Sequence, residues 1–272
     1  MNYIKILGMF VLAFLMIIVA QALGAIFDEM IPFLGIGIII SALIYCIVIY
    51  FFVRLMIEKG LKQRRVDYRI VSPHFDIRAV ILGIILPLSV ILFYLIFVPG
   101  ELKISHFKTQ DTLFRSLFWD IFQVAVAGAI VEELVFRGLL MGYIEKKTNI
   151  VVAILTTSIF FGAIHVLNGA LNVGSFLQLL VGGSLAGVMF GLTAYVFRSI
   201  WASATLHFFW NISQVFYITE KQVDDKVFQY ILDSHNFALT GGEFGFEASI
   251  ISILGYVSVI VVLVMLRRRL RQ

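Results

Sequence analysis

Ala79-Val-Ile-Leu-Gly-Ile-Ile-Leu-Pro87-Leu-Ser-Val-Ile-Leu-Phe-Tyr-Leu-Ile-Phe-Val98 is a run of twenty residues without one charged side chain. As helix it measures about 30 Å, the depth of a bilayer's hydrocarbon layer. Pro87 removes one backbone donor within it and should kink it. Seven further apolar windows lie along the 272 residues, at 6–27, 32–53, 116–144, 150–167, 177–197, 200–218 and 248–266. Eight spans leave no stretch long enough for a separate soluble domain, so 1–272 reads as a single membrane-embedded domain. The fold class is all-α, a polytopic transmembrane helical bundle. Composition agrees: 61% of residues are hydrophobic and 14% charged, and the mean hydropathy is +0.99, which excludes a soluble globular fold. The absence of strand alternation argues against a β-barrel. The one cysteine, Cys46, lies inside the second span, so no disulfide framework forms.

The net charge of +4 belongs to residues flanking apolar runs, which speaks for orientation rather than nucleic acid binding. Alternate loops differ strongly. One side carries Lys5, Arg54, Lys59, Lys62, Arg64, Arg65, Arg69, Arg78, Lys146, Lys147, Arg198 and the tail Arg267, Arg268, Arg269 and Arg271, fifteen in all. The other carries five: Lys103, Lys108, Arg115, Lys221 and Lys226. Both termini are therefore expected in the cytoplasm. A cleavage-like triplet, Ala20-Gln21-Ala22, lies within an apolar run that continues to Phe27, so the first span is read as retained. Residues 219–247 form the longest external loop, where Val223, Val227 and Ile231 have the spacing of an interfacial helix.

The apolar pattern breaks in the fourth span. Val124-Ala-Val-Ala-Gly128-Ala-Ile-Val-Glu132-Glu133-Leu-Val-Phe-Arg137-Gly-Leu-Leu-Met-Gly142 places three ionisable side chains in a membrane helix. At about 2.5–3.5 kcal/mol each, they would cost roughly 8–10 kcal/mol if unpaired. Glu133 and Arg137 are four apart and share a face; Glu132 is rotated by about 100°. Arg137 should engage Glu133, leaving Glu132 to point elsewhere. Gly128, one turn before Glu132, leaves room for a water or a substrate. A structural ion pair needs one acid, and the second carboxylate is a functional signal.

Phe161-x-x-x-His165 puts a histidine in the fifth span, and His207-x-x-x-Asn211 puts a histidine and an amide on one face of the seventh. Taken singly, each reads as an interhelical hydrogen bond. Depth changes this. Spans four and five make a hairpin turning near Lys147, and Glu132 and His165 fall within roughly 5 Å of the same height. His207 and Asn211 lie roughly 14 and 20 Å inward of Arg198. Four polar groups from three helices thus converge on one layer. A carboxylate acting as general base on water suits such a set, with His165 positioning that water and His207 and Asn211 donating to the oxyanion of a scissile carbonyl. There is no Ser-His elbow, no buried aspartate pair (Asp120 stands alone) and no His-Glu-x-x-His run for zinc. The reaction class is amide hydrolysis.

These three motifs, Glu132-Glu133-x-x-x-Arg137, Phe161-x-x-x-His165 and His207-x-x-x-Asn211, resemble those of the CPBP family of intramembrane proteases, which includes the CAAX-processing endopeptidases and the Abi proteins. The match runs in the family's order through a motif core at 116–218. The resemblance implies eight helices, a cytoplasm-facing cavity, Glu132 as base, His165 as its partner, and an oxyanion site at His207 and Asn211, with Glu133, Arg137 and Phe161 in support. It implies an endopeptidase cutting a membrane-associated peptide or protein near the cytoplasmic leaflet, the substrate being lipidated or a secreted-peptide precursor. No cofactor is required; a zinc held by Glu132, His165 and His207 is the alternative. Membrane lipid is a partner and nucleic acid is not. Two competing functions are a non-catalytic bacteriocin-immunity or regulatory protein and a proton-coupled transporter. Gly183, Gly187 and Gly191, with Gly138 and Gly142, read as close helix packing.

Overall fold

A computed structural model describes residues 3–168 and 172–269; Arg271 of the basic tail lies outside them. Among the described residues, five helices are long and apolar enough to cross a bilayer: Tyr3–Met30, Phe33–Gly60, Ile77–Phe97, Val173–Val196 and Ile250–Arg269. The first is α1. The second contains α2, Ile36–Leu55, prolonged by a π-helical turn to Gly60. The third, α3, starts at Asp76, whose carboxylate accepts from the Arg78 N–H, and carries Pro87 buried within it. Apolar side chains such as Leu7, Leu43 and Ile96 face outward on these helices, as lipid-facing positions do.

The remaining three expected spans take other forms. The fourth, α4, runs over 110–147. It opens on a capping box at Thr109, and two π-helical stretches, Trp119–Gly128 and Glu133–Leu140, interrupt its α-helical course. Helices α5, Ile150–Ile164, and α7, Ile200–Ile212, hold only 15 and 13 residues. At about 22 and 20 Å they fall short of the hydrocarbon depth. The windows 150–167 and 200–218 therefore do not continue as helix: single turns follow at His165–Asn168 and Ser213–Val215. Between them α6 is Val173–Val196, and α8, Ile250–Arg269, closes the bundle.

Helices α5 and α6 are joined along the anticipated glycines. A Cβ on Gly183 would stand 2.9 Å from the Gly162 Cα, and one on Gly187 2.8 Å from the Ser158 Cα. Backbone meets backbone there, as small residues permit in membranes.

At one end of the bundle lies a three-stranded sheet of β1 (Gly100–Ile104), β2 (Phe216–Thr219) and β3 (Phe228–Leu232), in the order β1-β3-β2. Gly100 pairs antiparallel with Leu232, and Phe216 parallel with Phe228. The helix expected from Val223, Val227 and Ile231 is not formed: residues 228–232 are a strand, because β1 and β2 flank them and satisfy their backbone. The buried Gln229 amide braces the preceding loop, donating to the carbonyls of Val223 and Lys226 and accepting from the Val223 N–H. Asp120, which has no second aspartate beside it in the sequence pattern, is paired with Lys226 at 2.6 Å. The opposite end gathers the basic loops. Arg69 pairs with Glu145, the Ile200 N–H donates to the Arg69 carbonyl at 3.0 Å, Arg78 lies 4.8 Å over Phe197, and Arg267 donates to the Tyr195 hydroxyl at 3.3 Å.

Candidate active site

The second π-helical stretch of α4 carries Glu133 and Arg137, both almost completely buried. They pair at 2.9 Å, as the four-residue spacing requires. Arg137 also donates to the Gly187 carbonyl at 3.3 Å and lies over the rings of Phe161, Phe190 and Phe136 at 4.4, 5.2 and 5.6 Å. Aromatic faces of this kind hold a cation that water cannot reach.

Glu133 has a second partner that helical spacing does not reveal. Its Oε1 lies 3.0 Å from the His207 Nδ1, so His207 joins an ion pair that had been assigned to Glu133 and Arg137 alone. Phe190 stacks on the His207 ring with centroids 4.2 Å apart, which fixes its plane. The far nitrogen, Nε2, lies 3.8 Å from the Glu132 Oε2. His207 therefore lies between the two glutamates, hydrogen-bonded to Glu133 and facing Glu132 across a wider gap. Glu132 is 28% exposed, and its Oε2 has no hydrogen-bond partner among the described residues.

His165 sits where α5 ends. Its Nδ1 is 2.7 Å from the Phe161 carbonyl, and a carbonyl only accepts, so Nδ1 carries the proton and the neutral ring keeps its lone pair on Nε2. Phe161 thus supports the site twice, through its backbone at His165 and through its ring at Arg137. Asn211, at the end of α7, donates to the Val124 carbonyl at 3.0 Å, within the first π-helical stretch of α4. Gly128 faces that amide: a Cβ there would lie 3.6 Å from the Asn211 Nδ2, ordinary contact, so the room at this position would accommodate a methyl group.

Glu132, His165, His207 and Asn211 all line one cavity of about 610 Å³. The cavity lies where α5 and α7 end, at His165 and at Asn211 to Gln214. Its wall includes a carboxylate that sequence reading left in the external loop. Glu247 lies between β3 and α8, and its Oε1 accepts from the Gln214 Nε2 at 2.8 Å. Burial pushes its carboxyl above the usual carboxylate range, against the opposing pull of the Gln214 hydrogen bond. The sequence signal is the segment Gly241-Gly242-Glu243-Phe244-Gly245-Phe246-Glu247. There Gly241 and Gly245 adopt φ of 79° and 102°, turning the chain back toward the bundle.

Toward the basic end the cavity is floored by the buried rings of Phe136, Phe161 and Phe190. Toward the sheet end its lining includes Gln123, Gln214, Phe244 and Trp119, the last 47% exposed. The lining thus extends toward the sheet end, away from the basic loops, whereas the resemblance implies a cavity facing the cytoplasm.

Zinc fits this arrangement poorly. His165 and His207 both turn Nε2 away from their Nδ1 partners, as metal ligands do, but among the described residues no group of three His, Cys, Asp or Glu side chains is close enough to hold a metal ion. Neither a curated protein nor a solved structure matches the chain significantly. A protein-family model does match: residues 114–213 fit the one described as type II CAAX prenyl endopeptidase Rce1-like. That stretch contains Glu132, Glu133, Arg137, Phe161, His165, His207 and Asn211. The family supports intramembrane endopeptidase activity on a peptide or protein substrate, and with five membrane-capable helices it fits a multi-pass membrane location. Over residues 114–213, 100 of its 272, the chain is thus similar to the type II CAAX prenyl endopeptidases described as Rce1-like.

Proposed function

We propose that the whole chain, 1–272, is one membrane-embedded endopeptidase in which Glu132 activates water. Glu132 takes a proton from a water that His165 positions through its free Nε2 lone pair. The water oxygen bonds to the scissile carbonyl carbon, and the negative charge that develops on the carbonyl oxygen is held by His207 and Asn211. Glu133 serves this step by fixing the His207 ring through Nδ1–H; as an imidazolium flanked by both glutamates, His207 carries a second proton on Nε2 and donates it in a hydrogen bond toward the cavity. Asn211 has two amide protons, and only one is used on Val124. The tetrahedral intermediate collapses with rupture of the C–N bond, and the departing amine receives the proton from Glu132. No step calls on a cofactor. The substrate is a membrane-associated peptide or protein, either lipidated or a precursor of a secreted peptide.

The observation that carries this reading is the 3.8 Å approach of Glu132 Oε2 to His207 Nε2 in a cavity shared with His165 and Asn211. Glu132→Gln keeps volume and polarity but removes the base. In cells making the variant, membrane peptides that the wild type cuts should accumulate intact, as read by comparing protein N-termini and C-termini between the two strains. If both strains give the same set of termini, the proposal is wrong and the polar layer is structural, as in a non-catalytic regulator.

A further inference from the structure

The cavity's two ends differ in a way that bears on where its substrate comes from. At the end bearing fifteen of the loop and terminal Lys and Arg residues, the cavity is floored by Phe136, Phe161 and Phe190, exposed by only 2, 4 and 1%. Below that floor Arg137 is sealed among the same rings. At the other end, where the loops carry five Lys and Arg, the lining passes through Gln214 and Phe244 to the half-exposed Trp119. The excess of Lys and Arg on short loops sets that end of a membrane protein in the cytoplasm.

The side facing lipid has the same bias. Helix α1 touches α5 nearer the basic end, where the Phe10 and Phe160 rings come within 4.5 Å. Further along, Phe14, Ile17, Ile18 and Gln21 of α1 become cavity wall, and Ile18 is 45% exposed.

We propose that the cavity admits its substrate from the extracytoplasmic side, as an extended segment of a membrane-anchored peptide displayed at that surface. This rests on the proteolytic reading of the site and assigns its substrate class: a translocated or secreted precursor, in place of one approaching at the cytoplasmic leaflet.

Single-cysteine labelling tests it without any need for cleavage. In a Cys46→Ser background, Trp119→Cys and Phe244→Cys report on the cavity mouth, Lys221→Cys on the sheet end and Lys62→Cys on the basic end. The reagent is a membrane-impermeant quaternary-ammonium methanethiosulfonate, applied to intact cells and to permeabilised ones. The expected result is that the two mouth positions and Lys221→Cys label at rates within about twofold in the two preparations. Lys62→Cys should label at least tenfold more slowly in intact cells. Labelling of Lys62→Cys in intact cells with protection of the others would overturn the proposal by inverting the molecule. Labelling of Lys221→Cys with protection of both mouth positions would overturn it by closing the cavity on that side. Trp119→Cys and Phe244→Cys lie on different elements, so misfolding of one leaves the other to decide. Comparing protein N-termini and C-termini between cells making the wild type and Glu132→Gln separates the two ideas: identical termini with labelling as expected refutes the protease while leaving the route of access standing.

Discussion

Removing Glu133 should unsettle the fold more than its chemistry suggests. Glu133→Leu leaves the Arg137 guanidinium 1% exposed, with the Gly187 carbonyl at 3.3 Å and three ring faces for company. Breaking a buried pair by deleting one partner costs about 3–5 kcal/mol. The rings retain part of the cation's stabilisation, on the order of 2 kcal/mol for a desolvated contact, which places this variant near the lower end, about 3 kcal/mol. Arg137→Met strands Glu133 in turn, but the carboxylate keeps the His207 Nδ1 at 3.0 Å, and a similar cost of about 3 kcal/mol follows. The double variant Glu133→Leu/Arg137→Met removes both charges and fills the space with apolar volume, so it should come within about 1 kcal/mol of wild type. The coupling between the sites is then about 5 kcal/mol, the excess of the summed single costs over the double one. Reversible unfolding in mixed detergent micelles measures all four corners of the cycle. Cleavage should be absent from the double variant despite its stability, because His207 has lost the acceptor that orients it. Single costs below about 1 kcal/mol, or costs that simply add, would refute the picture of one desolvated Glu133–Arg137 unit.

Glu247 supplies a pH test. Its folded carboxyl titrates above the ordinary range because it is buried, so the folded state holds that proton longer than the unfolded chain does. The stability it contributes is fully present below the unfolded carboxyl pKa and is lost as pH rises through the folded value; Glu247→Gln should flatten that fall in unfolding measured across pH. At the α5–α6 seam, Gly187→Leu should destabilise the protein by several kcal/mol in the same unfolding assay, since even a Cβ there comes within 2.8 Å of the Ser158 Cα. His165→Ala and His207→Ala should each abolish cleavage while the protein still accumulates in the membrane, as read by immunoblot of membrane fractions. Asn211→Ala should slow cleavage by about 10²–10³-fold, the range for losing one oxyanion donor, measured as kcat on whichever peptide the termini comparison identifies.

The parts of this fold legible in sequence are those fixed by local periodicity. Long uncharged runs announce α1, α2, α3, α6 and α8, and the i,i+4 spacing gives the Glu133–Arg137 pair. What periodicity omits depends on how helices are rotated and where they stop. The contact of His207 with Glu133 spans 74 positions, and no spacing rule reports it. The shortness of α5 and α7 was hidden because the residues after them, Val166-Leu167 and Val215-Phe216-Tyr217-Ile218, are as apolar as a span. The same ambiguity misread β3: a three-fold or four-fold spacing of apolar residues is equally open to a strand whose neighbours, β1 and β2, are distant in sequence. Glu247 was passed over because acidic residues in a polar loop are ordinary. Its turn glycines were the one available cue.

The glycine seam between α5 and α6 has a mechanical consequence. Backbones this close interlock, so sliding one helix along the other by even a single residue would drive Ser158 or Gly162 into its neighbour. His165, at the tip of α5, is thereby held at constant height. Widening for a bulky peptide is expected instead at α1, which borders the hollow through Phe14, Ile17, Ile18 and Gln21 and leaves Leu15 and Ile18 about half exposed.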